Sequence, residues 1–428
     1  MDDSKIAILG FGVEGKSAYK YLKEKNPEFN IDIFDEKTSS DEGPIVTKVE
    51  NFSDIDFDLY NMVVRSPGIN PKKIVDSLNH KNNLEITSAT KIFFDKCPAP
   101  IIGVTGTKGK GSTSSFIYEI IKNYFESFDI KRKVYLVGNI GLAALDILSN
   151  VNQNDIIVYE LSSFQLWDIN KSPHIAVFTM LEPDHLDVHE DFNEYSQAKF
   201  NIFRYQTKND WAVVNRSLRN KLPELNGKTL YFPEDKLDQL ARKSIKVVGE
   251  HQIENAEAAI LSVKTVLPEI TDDQIKNGLT KFTGLAHRLK FVAEKNGIKY
   301  YDDSIATTPG SAIAAIKSFD DQSKILILGG FDKGADYTTI GTVAEEKNVK
   351  EIFVIGSNQD KVAEQIRKKY SGEVTKLSEK NMNEIVKKIT STAKPGDNII
   401  MSPAAASFDM FKNYKDRGEK FISAVESL

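Results

Sequence analysis

Residues 103–115 read GVTGTKGKGSTSS, a glycine-rich segment between an apolar run and a helical stretch. The segment nearly matches the phosphate-binding loop G-x-x-x-x-G-K-[ST], in which the lysine contacts phosphates and the next hydroxyl holds Mg²⁺. Gly109 and Lys110 fit this pattern, but Gly111 takes the place of the hydroxyl residue and Ser112 follows one position later. A strand, a glycine-rich loop and a helix in this order predict one unit of a parallel α/β sheet with a phosphate site.

The rest of the chain alternates between strand and helix in the same way. Short apolar runs predict strands in the segments KIAILGFG, FNIDIFDEK, NMVVRSPGI, DIIVYE, HIAVFTM, WAVVN, IKYYDDS, KILILGG, EIFVIGS and DNIIMSPAAAS. Helical spacing between these runs favours parallel sheets. We predict an α/β protein of three domains: a Rossmann-like N-terminal unit at 1–96, a central P-loop ATPase-type parallel sheet at 97–286 and a C-terminal Rossmann-like unit at 287–428.

The composition limits the partners that the chain can have. Of its 428 residues, 40% are hydrophobic and 27% are charged, as in ordinary globular proteins. The net charge of −5 argues against a nucleic-acid or anionic-membrane partner. Cys97 is the single cysteine, which excludes an intrachain disulfide. The start of the chain has no signal-peptide pattern, and no apolar run approaches the roughly 18 residues of a transmembrane helix. These features predict a cytoplasmic protein.

Polar residues follow two further predicted strands. Glu160 ends the apolar run DIIVYE, and His185 follows HIAVFTM. Because open parallel sheets bind ligands at the carboxyl ends of their strands, we expect these side chains to lie near the glycine-rich loop. A carboxylate at such an edge is a suitable ligand for Mg²⁺. Together with Lys110, the two residues predict a site for a nucleotide and a metal ion.

Eleven short motifs occur in the order in which one enzyme family carries them: GFGVEG, SPGI, GVTGTKGK, GNIG, ELSSFQL, DHLDVH, AKFNIF, FTGLAHR, DDSIAT, GGFDKGAD and SPAAASFDMFKNYKDRG. On these motifs the whole chain resembles the Mur ligase family, ATP-dependent enzymes that join an amino acid to the carboxylate of a UDP-linked sugar. The resemblance implies addition of D-glutamate to UDP-N-acetylmuramoyl-L-alanine, through an acyl phosphate, in peptidoglycan precursor synthesis. We expect the protein to be a monomer.

The resemblance also implies the residues that bind ATP and Mg²⁺. Those expected to contact ATP are Gly106, Thr107, Lys108, Gly109, Lys110, Gly111, Ser112, Thr113, Asn255, Arg288 and Asp303. The ligands expected for Mg²⁺, at two sites, are Ser112, Glu160, His185 and Lys199. Lys199 matches a lysine that the family carries as a carbamate, which would replace a cation repelled by Mg²⁺ with a carboxylate. The implied catalytic residues are Lys110, Lys199 and His185.

Two further groups of residues match the positions that bind the other substrates. The positions implied for the UDP substrate are Val13, Glu14, Asp35, Ser66, Gly68 and Asn139. The positions implied for the amino acid are Thr307, Lys333, Ser407, Phe408 and Tyr414. Glu14 and Ile305 depart from the family, which often has a small hydroxyl residue and a lysine there. A carboxylate at Glu14 would repel a diphosphate unless it is turned away.

Gly111 is a third departure, and it leaves alternatives open. Folylpolyglutamate synthetases, a sister group, are similar in having Gly-Lys-Gly-Ser in this loop. We interpret Gly111 as an added glycine that lets the backbone turn once more before Ser112 reaches Mg²⁺. A folylpolyglutamate synthetase is therefore one alternative, although such enzymes lack a unit like residues 1–96. A non-catalytic nucleotide-binding regulator is the other, although Glu160, His185 and Lys199 together argue against it.

Overall fold

The computed structural model describes residues 5–36, 44–76, 84–319 and 322–428. By compactness the chain divides into two units. The first contains Met1–Ala241 and Glu254–Gly278, and the second contains Arg242–Ile253 and Leu279–Leu428. Three sheets, flanked by helices, occupy the described residues, and the predicted α/β class is confirmed. The boundaries proposed at 96/97 and 286/287 fall between sheets, and the division into three domains stays a prediction.

The first sheet is parallel throughout and has the order β3-β2-β1-β4-β5. Its strands are β1 (Lys5–Leu9), β2 (Asn30–Asp35), β3 (Val46–Lys48), β4 (Met62–Arg65) and β5 (Glu85–Ser88). Its helices are α1 (Val13–Lys25), α2 (Pro71–Asp76) and α3 (Ala89–Lys96). Alternation along β1 puts Ile6 and Ile8 into one apolar core and Ala7 and Leu9 into another, so both faces of the sheet are covered.

The second sheet is also parallel and has the order β11-β10-β9-β6-β8-β7. Its strands are β6 (Ile101–Thr105), β7 (Val134–Gly138), β8 (Ile156–Glu160), β9 (Ile175–Phe178), β10 (Trp211–Asn215) and β11 (Lys228–Phe232). The helices between and after them are α4 (Lys110–Ser127), α5 (Ala144–Ile147), α6 (Ser163–Leu166), α7 (Phe192–Arg204), α8 (Asp235–Arg242), α9 (Glu250–Val266) and α10 (Asp272–Leu279). Strand β6 lies between β8 and β9, so the three loops predicted to carry the site leave neighbouring strands.

The third sheet has the order β12-β13-β17-β14-β15-β16 and one antiparallel pair, β12 with β13. Its strands are β12 (Lys290–Lys295), β13 (Ile298–Asp302), β14 (Lys324–Gly329), β15 (Val349–Ile355), β16 (Glu373–Lys376) and β17 (Asn398–Met401). Its helices are α11 (Pro309–Lys317), α12 (Thr338–Glu346), α13 (Gln359–Arg367), α14 (Met382–Thr392) and α15 (Tyr414–Glu426). Short 3₁₀ helices elsewhere cover Phe52–Asp54, Phe57–Leu59, Leu148–Asn150 and Arg216–Leu218.

Six strands are absent from the sequence prediction, namely β3, β5, β7, β11, β12 and β16. Each has at least one half-buried or exposed residue, and β3 and β16 are short strands at sheet edges. All six lie at the edges of their sheets, where one side of the strand has no neighbour and burial is incomplete. Among the residues described, no helix combines the length and apolar character needed to span a membrane.

Candidate active site

The glycine-rich loop joins β6 to α4, as predicted. Gly109 caps the helix with a left-handed φ of 87°, and the helix begins at Lys110. The interpretation of Gly111 as an extra turn is wrong, because Gly111 lies in the first turn of α4 and the left-handed turn occurs at Gly109. The first turn of α4 therefore presents Ser112 and Thr113 directly after the loop.

Two glycines of the loop approach other parts of the chain too closely for any side chain. A Cβ atom on Gly106 would lie 2.0 Å from Thr179 Oγ1, and one on Gly109 would lie 2.5 Å from Asn255 Oδ1. Both glycines also have positive φ. The loop is thus a bare backbone segment at a helix N-terminus, the arrangement that binds phosphate through backbone N–H groups.

The lysines of the predicted site converge on one carbonyl. Lys110 Nζ and Lys199 Nζ each donate a hydrogen bond to the Gly106 carbonyl oxygen, both at 2.9 Å. Lys199 is buried on α7, and burial together with the Lys110 charge lowers the pKa of its amine well below the ordinary value. Lys199 is therefore disposed to be a neutral amine, whereas Lys110 starts α4 beside the loop.

A cavity of about 250 Å³ brings four of the predicted residues together. Lys110, Asn139, His185 and Lys199 all line it. The remaining lining residues were not predicted: Pro67, Ser162, Ser163, Phe164, Asp184 and Tyr195. Most of these lie in the motifs ELSSFQL and DHLDVH, where only the acid and the histidine were singled out.

Glu160 and His185 lie at the strand ends where they were predicted. Glu160 is buried as the last residue of β8, and its carbonyl accepts a hydrogen bond from the Asn139 N–H at 3.4 Å. His185 has a left-handed φ of 53°, and its ring centroid lies 5.0 Å from that of Phe164. The backbone turn directs this half-exposed histidine along the cavity wall.

The hydroxyl groups beside the loop have different neighbours. Thr113 Oγ1 donates to Asn255 Oδ1 at 3.3 Å, and Thr107 Oγ1 lies 2.9 Å from the Tyr195 hydroxyl. Lys108 forms an exposed ion pair with Glu182 at 3.0 Å. Asn255 was predicted to contact ATP, and it lies against the loop and the first turn of α4.

A buried hydrogen-bonded chain beside the cavity was missed by the sequence reasoning. Ser163 Oγ lies 2.9 Å from His189 Nε2, and His189 Nδ1 lies 2.8 Å from Glu194 Oε2. The His189 ring stacks on Phe164 with centroids 5.1 Å apart and an interplanar angle of 9°. The chain joins α6, the loop of His185 and the start of α7, which carries Lys199. Only the repeated histidine in DHLDVH signals it in the sequence.

In the first sheet, two of the residues predicted for the UDP substrate support the turn after β1. Asp35 Oδ2 accepts from the Phe11 N–H at 2.6 Å, and Ser66 Oγ donates to the Gly10 carbonyl at 2.9 Å. Gly68 lines a second cavity of about 400 Å³, together with Ile69, Asn70, Val188 and others, and Val13 is exposed.

Glu14 faces away from solvent. Its Oε1 accepts from Gln165 Nε2 at 2.6 Å, its Oε2 is buried with no hydrogen-bond partner among the described residues, and burial raises its pKa. The carboxylate is turned toward α6, as the sequence requires if a diphosphate is to bind nearby.

The second unit carries the remaining residues predicted for ATP. Arg288 is exposed, whereas Asp303 is buried just beyond β13. Asp303 Oδ1 accepts from the Leu289 N–H at 3.0 Å, and its Oδ2 accepts from Ser402 Oγ at 2.6 Å. Burial raises the pKa of Asp303 to about 6. Both carboxylate oxygens thus have partners within the unit.

The residues predicted for the amino acid follow the neighbouring strands β13, β14 and β17. Lys333 Nζ lies 5.7 Å from the centroid of the exposed Phe408 ring. Ser407 is buried, and its carbonyl accepts from the N–H groups of residues 410 and 411. Tyr414 is half-buried at the start of α15 and Thr307 is half-buried after β13. The sheet therefore gathers these positions at one edge.

Arg417, which the sequence analysis did not assign to the site, holds the loops at that edge through hydrogen bonds. Its buried guanidinium donates to the carbonyls of Ser304 at 2.8 Å and Ala405 at 3.0 Å. Burial lowers its pKa to about 10. One side chain thereby ties the loop after β13 to the loop that carries Ser407.

The donor set in the first unit fits Mg²⁺ only with further oxygen ligands. Across residues 5–36, 44–76, 84–319 and 322–428, no three His, Cys, Asp or Glu side chains are grouped so that they could hold a metal ion. Magnesium is commonly held by one or two carboxylates together with substrate phosphates. Glu160 and the phosphate loop are consistent with that arrangement, and a carbamate on Lys199 would add a second carboxylate.

Comparison with known proteins identifies the family. The sequence matches the Mur ligase middle domain over residues 104–245 and the Mur ligase glutamate ligase domain over residues 287–405. A UDP-N-acetylmuramoylalanine–D-glutamate ligase of Acetivibrio thermocellus is 36% identical over 100% of this chain and 97% of its own length. The chain belongs to the Mur ligase family. The resemblance stated from the motifs is thus confirmed.

Other Mur ligases support the same assignment. A ligase of the same name from Clostridium botulinum is 32% identical over 99% of this chain and 97% of its own length. MurC of Thermotoga maritima superposes with a TM-score of 0.56 at 16% identity, covering 99% of both chains. MurF of T. maritima in complex with ADP gives 0.54 at 17% identity, covering 99% of this chain and 95% of its own. These structures share the Mur ligase fold.

Proposed function

We propose that this Mur ligase adds D-glutamate to UDP-N-acetylmuramoyl-L-alanine, with conversion of ATP to ADP and phosphate, in peptidoglycan precursor synthesis. The observation that carries the proposal is the cavity in which Lys110, His185 and Lys199 meet beside the phosphate loop. The relatives named for this reaction are 32–36% identical over nearly the whole chain, including residues 1–96.

The reaction consists of two displacements. The substrate carboxylate attacks the γ-phosphorus of ATP, so that an acyl phosphate forms and ADP leaves. The uncharged amine of D-glutamate then attacks the acyl carbon, phosphate leaves and the amine gives up a proton. The Lys110 ammonium offsets charge on the phosphoryl oxygens, and the backbone N–H groups of the loop orient them.

Ser112, Glu160, His185 and a carbamylated Lys199 are the residues that would hold Mg²⁺. When bound, the metal ion supplies positive charge to the phosphoryl oxygens. The surroundings of Lys199 favour its carbamylation, because burial lowers the pKa of its amine and a neutral amine is the form that attacks CO₂. The product is a carbamate, and one proton is released.

Replacement of Lys199 tests the carbamate. We expect Lys199→Ala to be nearly inactive and to be partly rescued by small carboxylic acids that occupy the vacated space. In wild-type protein equilibrated with ¹³C-labelled CO₂, a carbamate carbon signal should appear and should be absent from Lys199→Ala. Full activity of Lys199→Ala, or no labelled carbamate in active wild-type protein, would remove the carbamate from the mechanism.

An ADP-release assay tests the function itself. The acceptors are UDP-N-acetylmuramoyl-L-alanine and a folate, each with and without D-glutamate. We expect ADP only with the muramyl acceptor and D-glutamate together. Turnover with the folate would favour a folylpolyglutamate synthetase, and nucleotide binding without turnover would favour a regulator.

We also propose that the protein acts as a monomer in the cytoplasm, where ATP and UDP-linked sugars are made. Light scattering would test whether it is a monomer.

A further inference from the structure

Arg65, the last residue of β4, has a side chain that is 0% exposed and is surrounded by hydrogen-bond acceptors. Its Nε and Nη2 atoms donate to the Asp168 carboxylate, the Nε bond measuring 3.0 Å. Its Nη2 also donates to the Phe164 carbonyl at 3.1 Å. The guanidinium therefore joins the first sheet to α6 and the residues that follow it, all within the first unit.

The same guanidinium organises the loop after β4. Its Nη1 atom donates to the carbonyls of Ser66, Pro67 and Ile69 at 3.4, 3.2 and 3.2 Å. A planar group with five N–H donors can hold several carbonyls in fixed directions, which the compact ammonium of lysine cannot do. Since these carbonyls point inward to Arg65, this side chain fixes the direction of three carbonyls of the loop, which also has hydrogen bonds from Ser66 to Leu9 and Gly10.

The loop held by Arg65 separates two cavities. Pro67 and Phe164 line the cavity that contains Lys110 and Lys199. Gly68 and Ile69 line the cavity of about 400 Å³ at the first sheet. Arg65 lines neither cavity, yet it bonds to a wall residue of each.

We propose that Arg65 is a positioning residue for the nucleotide-sugar substrate: through Asp168 and the three loop carbonyls, it holds the wall along which the substrate extends between the two cavities. The inference rests on the proposed function, which requires one long acceptor with a nucleotide at one end and a reacting carboxylate at the other. Replacing a whole buried ion pair by apolar residues often changes the stability little, whereas removing one partner leaves the other charge buried and unpaired. The variants used as a test are therefore Arg65→Lys, which keeps the positive charge, and Asp168→Asn, which keeps the shape of the side chain.

The chain offers a matched control. Lys72, on α2 after β4, pairs with Glu190 at 2.7 Å and also connects this part of the chain to the segment after His185, but both side chains are about 60% exposed. Exposed pairs of this kind contribute little. Lys72→Met should therefore leave both substrate affinity and stability unchanged.

The test is calorimetric titration of UDP-N-acetylmuramoyl-L-alanine and, separately, of ATP into wild-type, Arg65→Lys, Asp168→Asn and Lys72→Met proteins. Loss of one or two charged hydrogen bonds predicts a roughly 10- to 100-fold weaker acceptor Kd in Arg65→Lys and in Asp168→Asn. Their ATP Kd should stay within about twofold, and the acceptor KM should rise more than kcat falls. Should Arg65→Lys not fold, the isosteric Asp168→Asn gives the same comparison.

Three outcomes are distinguishable. If wild type, Arg65→Lys and Asp168→Asn all bind the acceptor equally well, the proposed role of Arg65 is overturned and the proposed function is not. Equal weakening of acceptor and ATP binding indicates a general structural effect and also overturns it. Wild-type protein that neither binds the acceptor nor forms the amide overturns the proposed function, and this inference with it.

Discussion

Two neighbouring hydroxyl residues in the first turn of α4 have separate surroundings. Thr113 is fully buried and donates to Asn255, whereas Ser112, which directly follows Gly111, is the residue predicted to bind Mg²⁺. A charged hydrogen bond of this kind is worth about 1.5–3 kcal/mol, so Ser112→Ala should slow turnover about 10- to 150-fold. Steady-state ADP release at saturating Mg²⁺ measures this. Thr113→Ser, which keeps its hydroxyl, is the control. A fully active Ser112→Ala with an inactive Thr113→Ala would show that the hydroxyl was assigned one residue too early.

Asp303 predicts a pH dependence of stability. Burial raises its pKa from 3.8 to about 6, so the folded protein retains a proton that the unfolded chain has lost. The stability that this group contributes is full below the unfolded pKa and is lost as the pH rises toward the folded value. The total is about 3 kcal/mol.

Replacing Asp303 with asparagine removes this titration. We expect Asp303→Asn to flatten the decline in the free energy of unfolding between about pH 4 and 6, by about 3 kcal/mol relative to wild type. Urea denaturation at several pH values gives the comparison. Identical slopes for the two proteins would mean that the carboxyl titrates normally in the fold.

Individual site residues were predictable where they follow a strand that the sequence pattern identifies. Glu160 and His185 follow apolar runs, and parallel strands bring their ends to one edge. Arg65 and Glu14 were not predictable in their roles, because both depend on partners about 100 or more positions away in the chain. No local pattern identifies which distant carbonyl or amide will face a buried charge.

At the level of elements, the chain Ser163–His189–Glu194 joins α6 to α7. His189→Ala would remove the His189 partner of the buried Ser163 hydroxyl and would open a gap between aromatic rings, whereas Glu194 Oε2 would keep its hydrogen bond from the Glu190 N–H at 3.1 Å. We expect a loss of about 2–4 kcal/mol in the free energy of unfolding. His174→Ala is the matched control, since His174 pairs with Asp210 at 3.1 Å but is 41% exposed, and it should cost at most about 1 kcal/mol. Similar losses in both variants, measured by denaturant unfolding, would contradict a special role for the buried chain.

The central strands of all three sheets were predictable, and several edge strands were not. Strands such as β8 and β14 are buried along their whole length and therefore read as continuous apolar runs. Strand β12 is mostly half-buried and contains charged residues, and its antiparallel pairing with β13 departs from the expected parallel pattern. Whether such a segment forms a strand depends on the strand that it pairs with, and the pattern of a single segment does not contain that information.

For the whole molecule, the predicted amino-acid site is in the second unit and the phosphate loop is in the first. D-Glutamate brings two carboxylates, and Ile305 cannot form the ion pair that a lysine would form there. Lys333, beside Phe408, is the cation expected to compensate. We therefore expect Lys333→Ala to raise the KM for D-glutamate at least about tenfold, the effect of one lost charged hydrogen bond, with the ATP KM unchanged.

Lys361→Ala is the control for Lys333, because Lys361 pairs with Asp332 near the same loop without having been assigned to the substrate. Amide formation should be measured with D-glutamate, L-glutamate, D-aspartate and D-lysine. Better turnover with any of the other three would overturn the assignment of D-glutamate, and an unchanged KM in Lys333→Ala would exclude that lysine from the site.

The interleaving of the two units along the chain bears on how the protein is made on the ribosome. Residues 254–278 complete the first unit, and Gly278 approaches α4 so closely that a Cβ atom would lie 2.4 Å from Ile120 Cα. Translation must therefore pass through 242–253, which belong to the second unit, before the first unit has all of its parts. Domains generally fold as units during synthesis. A nascent chain, or a gene fragment, that stops at Ala241 leaves the α4 surface around Ile120 uncovered.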